Sequence, residues 1–99
     1  MDITVSGHKI DITPPLRDYA LEKIGRVQRH FDHAITADVV LHVEKKRFSA
    51  EANIRAKGAV IHANAAGDDM YMAIDLLIDK LDRQVLRHKE RVIEQHRPN

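Results

Sequence analysis

The sequence predicts an α+β fold of order β-α-β-β-β-α, with two helices packed on one face of a four-stranded sheet. Three observations carry that reading. Residues 16–31 and 70–92 space their apolar side chains mostly three and four apart, the period of a helix with one buried face. Residues 48–56 and 59–66 alternate in step with a pleated strand wetted on one side. Gly58 and Gly67-Asp68-Asp69 punctuate these runs where turns are needed. At 99 residues the chain is read as a single domain spanning 1–99.

Residues 2–12 read as an opening strand, with Ile3, Val5, Ile10 and Ile12 as its apolar positions and a bulge or strand end at Gly7. Thr13-Pro14-Pro15 reads as a helix start, because Thr can cap free amides and Pro lacks the amide that would go unpaired. Leu16, Ala20, Ile24, Val27 and Phe31 then form one face of about four turns, expected to end at Asp32-His33. Val39–Val43 reads as a strand, followed by a charged turn at residues 44–47. Phe48, Ala50, Ala52, Ile54 and Ala56 face inward in the next strand, opposite wet Glu51, Asn53 and Arg55. Ile61, Ala63 and Ala65 do the same in the last, which makes a three-stranded meander. Gly67-Asp68-Asp69 ends the sheet and caps a second helix with acids that suit its dipole. That helix carries Met70, Ile74, Leu77, Ile78, Leu81, Val85 and Val92 and runs to at least Arg91. Its last two turns are expected to outrun the sheet, and residues 95–99 to fray.

Composition removes several kinds of function. The absence of cysteine excludes disulfide scaffolds, thiolate zinc sites, iron–sulfur clusters and a cysteine nucleophile. Four aromatic residues and no Trp argue against a stacking platform for single-stranded bases. The apolar runs are too short to span a membrane, and the N-terminus lacks the order of a signal peptide, so a cytoplasmic protein is expected.

The formal net charge is only +1, but charge is sorted along the chain. With Met70 at zero and about 100° per residue, the second helix has three stripes. Its apolar stripe is followed by acidic Asp75, Asp79 and Asp82, and then by basic Lys80, Arg83, Arg87 and Arg91. The four bases form a line about 16 Å long, suited to a row of phosphates. The competing reading is a solvated face, with Asp79–Arg83, Arg87–Glu90 and Arg91–Glu94 absorbing part of the charge. The first helix carries a second basic edge of Lys23, Arg26, Arg29 and His30, and two such edges on one side of a sheet could unite into a patch. The turn adds Lys45, Lys46 and Arg47. Three basic clusters make nucleic acid the leading partner, and Arg forks phosphate bidentately. The order of elements also resembles the double-stranded-RNA-binding domain with one added strand, a module that reads RNA shape and backbone.

No catalytic constellation emerges. His30 and His33 flank Asp32 at a helix end, which is a weak metal signal, and no phosphate loop, HExxH or GxSxG motif occurs. His88 lies on the apolar stripe and reads as half-buried or RNA-facing. No enzyme activity, cofactor, metal or small-molecule substrate is expected.

Residues 69–84, from Asp69-Met70-Tyr71-Met72-Ala73-Ile74-Asp75 through Asp79-Lys80-Leu81-Asp82-Arg83-Gln84, resemble the DMYxAID…DKLxRQ signature of the ribosome hibernation promoting factor family, also called the sigma-54 modulation or ribosome-associated inhibitor family. Arg87-His88-Lys89-Glu90-Arg91 resembles its KHK-type continuation, and Ile12-Thr13-Pro14-Pro15-Leu16-Arg17-Asp18-Tyr19 its ITPxLRxY helix start. The resemblance covers nearly the whole chain. It implies two parallel helices on a four-stranded sheet, and binding to the small ribosomal subunit between head and body. There the protein would overlap messenger RNA and the transfer RNAs of the A and P sites, silencing idle ribosomes in stationary phase or starvation. It implies ribosomal RNA contacts for Lys23, Arg26, Arg29, Lys80, Arg83, Arg87, His88, Lys89 and Arg91, and less specifically for Lys45 and Arg47. The chain stops at Arg97-Pro98-Asn99 with neither an acidic tail nor a further domain, so the short form is expected. In the family that form makes inactive ribosome dimers together with a separate ribosome modulation factor.

Overall fold

The computed structural model describes residues 2–31 and 34–95, with side chains as far as Lys89. Six elements follow in the expected order: β1 (Asp2–His8), α1 (Pro14–His30), β2 (Ala34–Glu44), β3 (Arg47–Ala56), β4 (Ala59–Gly67) and α2 (Met70–Gln95). The strands form one sheet in the order β1-β2-β3-β4. β1 pairs parallel with β2, the arrangement a helical crossover permits, and β2, β3 and β4 form an antiparallel meander.

Two boundaries differ from the sequence reading. β1 stops at His8 and not at Ile12, because Lys9 takes a left-handed φ of 61° that breaks the extended run. Ile10 and Ile12 leave the sheet but still pack against the core. β2 begins at Ala34, five residues before Val39. Pairing on both sides extends it: β1 engages it from Thr36 to His42, and β3 reaches back to Ala34. The expected helix end at Asp32-His33 lies outside the described residues, as do residues 96–99, while Gln95 is still helical.

The helix starts are built as their sequences dictate. Thr13 Oγ1 accepts from the Leu16 amide at 3.4 Å, and Pro14 opens α1. Asp69 Oδ1 accepts from the Met72 amide at 2.8 Å and so caps α2. Gly67 lets β4 turn tightly into α2, since a Cβ there would lie 2.9 Å from the Ala73 nitrogen. Gly58, at φ 79°, makes the β3–β4 turn.

One continuous core lies between helices and sheet. α1 contributes Leu16, Ala20, Ile24 and Val27; α2 contributes Met70, Ala73, Ile74, Leu77, Ile78, Leu81 and Val85. The inward face of the sheet is rich in small residues: Ala37, Ala50, Ala52, Ala63 and Ala65, beside Val39, Leu41, Ile54 and Ile61. Small side chains let the helices approach closely. α1 covers β1 and β2, and α2 covers β3 and β4. The helices run parallel, because Tyr19 meets Tyr71 at their beginnings and Phe31 meets His88 further along.

Candidate nucleic-acid interface

The apolar stripe of α2 fixes its rotation on the sheet, and that rotation decides where each charged stripe points. The acidic stripe faces α1. Asp75, Asp79 and Asp82 form one wall of an open groove of 460 Å³, and Lys23, Arg26, Arg29 and His30 of α1 form the other. The basic stripe lies on the opposite flank, along the free edge of β4. The expectation that the two basic edges unite is therefore corrected. Each helix wheel gives its own stripes, but the relative rotation of the helices sets acid against base in the groove between them.

Contacts across the groove are concentrated towards the starts of the two helices. The Tyr19 hydroxyl donates to Asp75 Oδ1 at 2.5 Å, and Lys23 Nζ lies 3.9 Å from the same oxygen. Lys23 also stands over the Tyr19 ring at 5.2 Å, and Tyr19 packs edge-on against Tyr71 at 4.9 Å. Arg26 pairs with Glu22 on its own helix at 3.4 Å. Further along, Asp79 and Asp82 make no ion pair among the described residues.

The hydrogen bond to Asp75 pushes the Tyr19 hydroxyl up to about 12, with burial adding in the same direction. The folded state thus holds the proton more tightly than the unfolded chain does. The stability from this bond is whole below about pH 10 and is lost as pH rises through about 12. Stability of the wild type, followed by denaturant midpoint, is expected to converge on that of Tyr19→Phe between these values. A constant gap up to pH 12 would contradict the assignment.

On the other flank, Lys80 Nζ donates to the Asn64 carbonyl at 2.8 Å, and Gln84 Nε2 donates to the His62 carbonyl at 2.5 Å. Both carbonyls lie on the free edge of β4. Sequence reading missed Gln84, although its place four residues after Lys80 is the signal that could have found it. Lys80 keeps two donors for other partners. It meets Arg47 in a depression of 470 Å³ that extends over the outer sheet face. Arg83 and Arg87 are exposed, and neither forms an ion pair among the described residues. The expected Asp79–Arg83 pair is not made, while those involving Glu90 and Glu94 fall on side chains outside the described ones, as does Arg91.

His88 is half-buried and stacks edge-on against Phe31 at 5.4 Å, so it helps pack the end of α1. Lys89 is exposed, on the α1-facing flank. Lys45 occupies the β2–β3 turn with φ 56°. The outer sheet face is polar and bonded to itself: Thr4 to Asp38 at 2.6 Å, His42 to Glu51 at 2.9 Å, and His62 to Asn53 at 2.7 Å. No helix among the described residues is long and apolar enough to cross a membrane.

The fold and these flanks define an α+β module that displays cations along two separate helix edges. Residues 3–93 match the family described as sigma 54 modulation protein / S30EA ribosomal protein, and the chain belongs to that family. It is 51% identical over 94 residues to a ribosome hibernation promoting factor of Azotobacter vinelandii, covering 95% of this chain and 88% of that protein. Among solved structures it is similar to a ribosomal subunit interface protein from Coxiella burnetii, with a TM-score of 0.86 and 34% identity over 91% of this chain and 99% of that one. It is also similar to the N-terminal domain of Thermus thermophilus Protein Y, with a TM-score of 0.80 and 33% identity over 89% and 99% of the two chains.

Proposed function

We propose that this protein is a ribosome hibernation factor that acts by occlusion. It binds the small ribosomal subunit in the channel for messenger RNA and the A- and P-site transfer RNAs, blocks translation, and promotes inactive ribosome dimers with ribosome modulation factor in stationary phase. The observation that carries this reading is the match over residues 3–93 to a family whose similar members are named for hibernation and the subunit interface. The exposed Arg83 and Arg87 supply a physical means, since unpaired guanidinium groups along a helix suit phosphate. In this reading Lys23, Arg26, Arg29, Lys80, Lys89 and Arg91 add phosphate contacts, Lys45 and Arg47 extend them at the turn, and His88 touches RNA with its exposed edge. Binding is mainly electrostatic, so it weakens steeply with salt. The protein works in the cytoplasm as a single domain, without turnover, cofactor or metal.

Sucrose-gradient sedimentation of ribosomes with the protein, at two salt concentrations and with or without ribosome modulation factor, tests this. The expected result is co-migration with the small subunit at low salt and a dimer peak when the modulation factor is present. Protein left at the top of the gradient at both salts would end the reading. The element order also favours a generic double-stranded-RNA module, which would bind naked duplexes as tightly as ribosomes.

A further inference from the structure

We propose that Asp79 and Asp82 are specificity determinants: they cancel the cationic edge of α1 and so keep the protein off generic duplex RNA. The proposal rests on the ribosome-binding reading and names what makes it selective. Lys23, Arg26, Arg29 and His30 on one wall of the interhelical groove face Asp75, Asp79 and Asp82 on the other; Arg26 is already paired with Glu22 of its own helix, while Arg29 forms no ion pair among the described residues. Asp75 is engaged by Tyr19 and Lys23, which gives it a structural task. Asp79 and Asp82 are exposed and have no such task among the described bonds. Unpaired acids beside bases they do not neutralise by contact need another account.

Electrostatics supplies one. Walls of one groove lie within a Debye length of about 8 Å at physiological salt, so a phosphate approaching α1 feels both. Non-specific binding to a duplex scales with the number of phosphates neutralised, and a face with no net charge contributes little to it. The basic flank along β4, divided from α1 by the width of α2, roughly 10 Å, is left as the strongly attractive helix face for an arbitrary polyanion among the described residues. A folded ribosomal site can offer two backbones spaced for both edges, with something other than phosphate opposite the acids. A generic duplex is not shaped for that.

The test compares wild type, Asp79→Asn/Asp82→Asn, and a control of equal charge, Asp2→Asn/Asp11→Asn, which alters two exposed acids near β1. Each is titrated with a 20-base-pair RNA duplex and with purified small subunits. The expected result is a rise of about tenfold in duplex affinity for the groove variant, with a steeper salt dependence. Subunit affinity should change much less, and the control should behave as wild type with both ligands. The proposal is overturned if the groove variant gains no duplex affinity, if both ligands gain equally, or if the control gains as much. If wild type binds subunits and the groove variant gains nothing on duplex, the proposal falls and the ribosome reading stands. If wild type binds no subunit, both fall.

Discussion

Replacing Arg83 and Arg87 together by alanine is expected to weaken binding to the small ribosomal subunit by on the order of a hundredfold at low salt. Hydrogen bonds to charged groups are worth about 1.5–3 kcal/mol each, and two exposed contacts at the low end of that range give this loss. The slope of affinity against salt should flatten by about two, one unit for each phosphate released. Both side chains are exposed and outside the core, so the thermal midpoint should stay within about 2 °C of wild type. Sedimentation of the double variant at several salt concentrations reads the affinity and the slope, and a thermal melt reads the midpoint. Affinity within threefold of wild type would remove this flank from the interface.

Leu77→Ala is expected to destabilise the protein by about 3 kcal/mol or more, lowering the thermal midpoint by roughly 15 °C. Leu77 is completely buried on the face of α2 that covers β3 and β4, in the same core as the alanine-rich part of the sheet. The size of the effect follows from that floor. Ala50, Ala52, Ala63 and Ala65 have no long side chains to swing into the space a leucine leaves, so the cavity stays open. For a domain of this length the loss is a large part of the total. A calorimetric shift under about 5 °C would mean that the helix settles onto the sheet and refills the void.

Much of this architecture could be read from spacing. The alternation from Phe48 to Ala56 and from Ile61 to Ala65 assigned the right residues to each face, because strand periodicity is local and nothing in these turns shifts it. The α2 stripe was legible for the same reason, except that Ala73 is buried too and is too small to weigh in an apolar pattern. The start of β2 was not legible. Thr36 and Asp38 look like a loop until a parallel strand, supplied from more than thirty residues away, pairs with them. The charged groove was illegible on principle. Each helix wheel is a property of one segment, whereas the meeting of Arg26 and Arg29 with Asp79 and Asp82 depends on how two helices turn on a shared sheet. The family signature was legible from residues 69–84, and the match over residues 3–93 agrees with it.

The side chains of Lys80 and Gln84 have a consequence for growth and self-recognition. A sheet extends by offering unpaired carbonyls and amides to an incoming strand. On the β4 side two of those carbonyls already have donors from α2, so a newcomer would first have to displace them. On the β1 side no helix side chain among the described residues makes such a bond. The two borders of the sheet are thus unequal, one hemmed and one open. A molecule hemmed on one border is a poor link in a strand-by-strand polymer. Two copies joined open border to open border would present only hemmed borders to a third, which disfavours further growth.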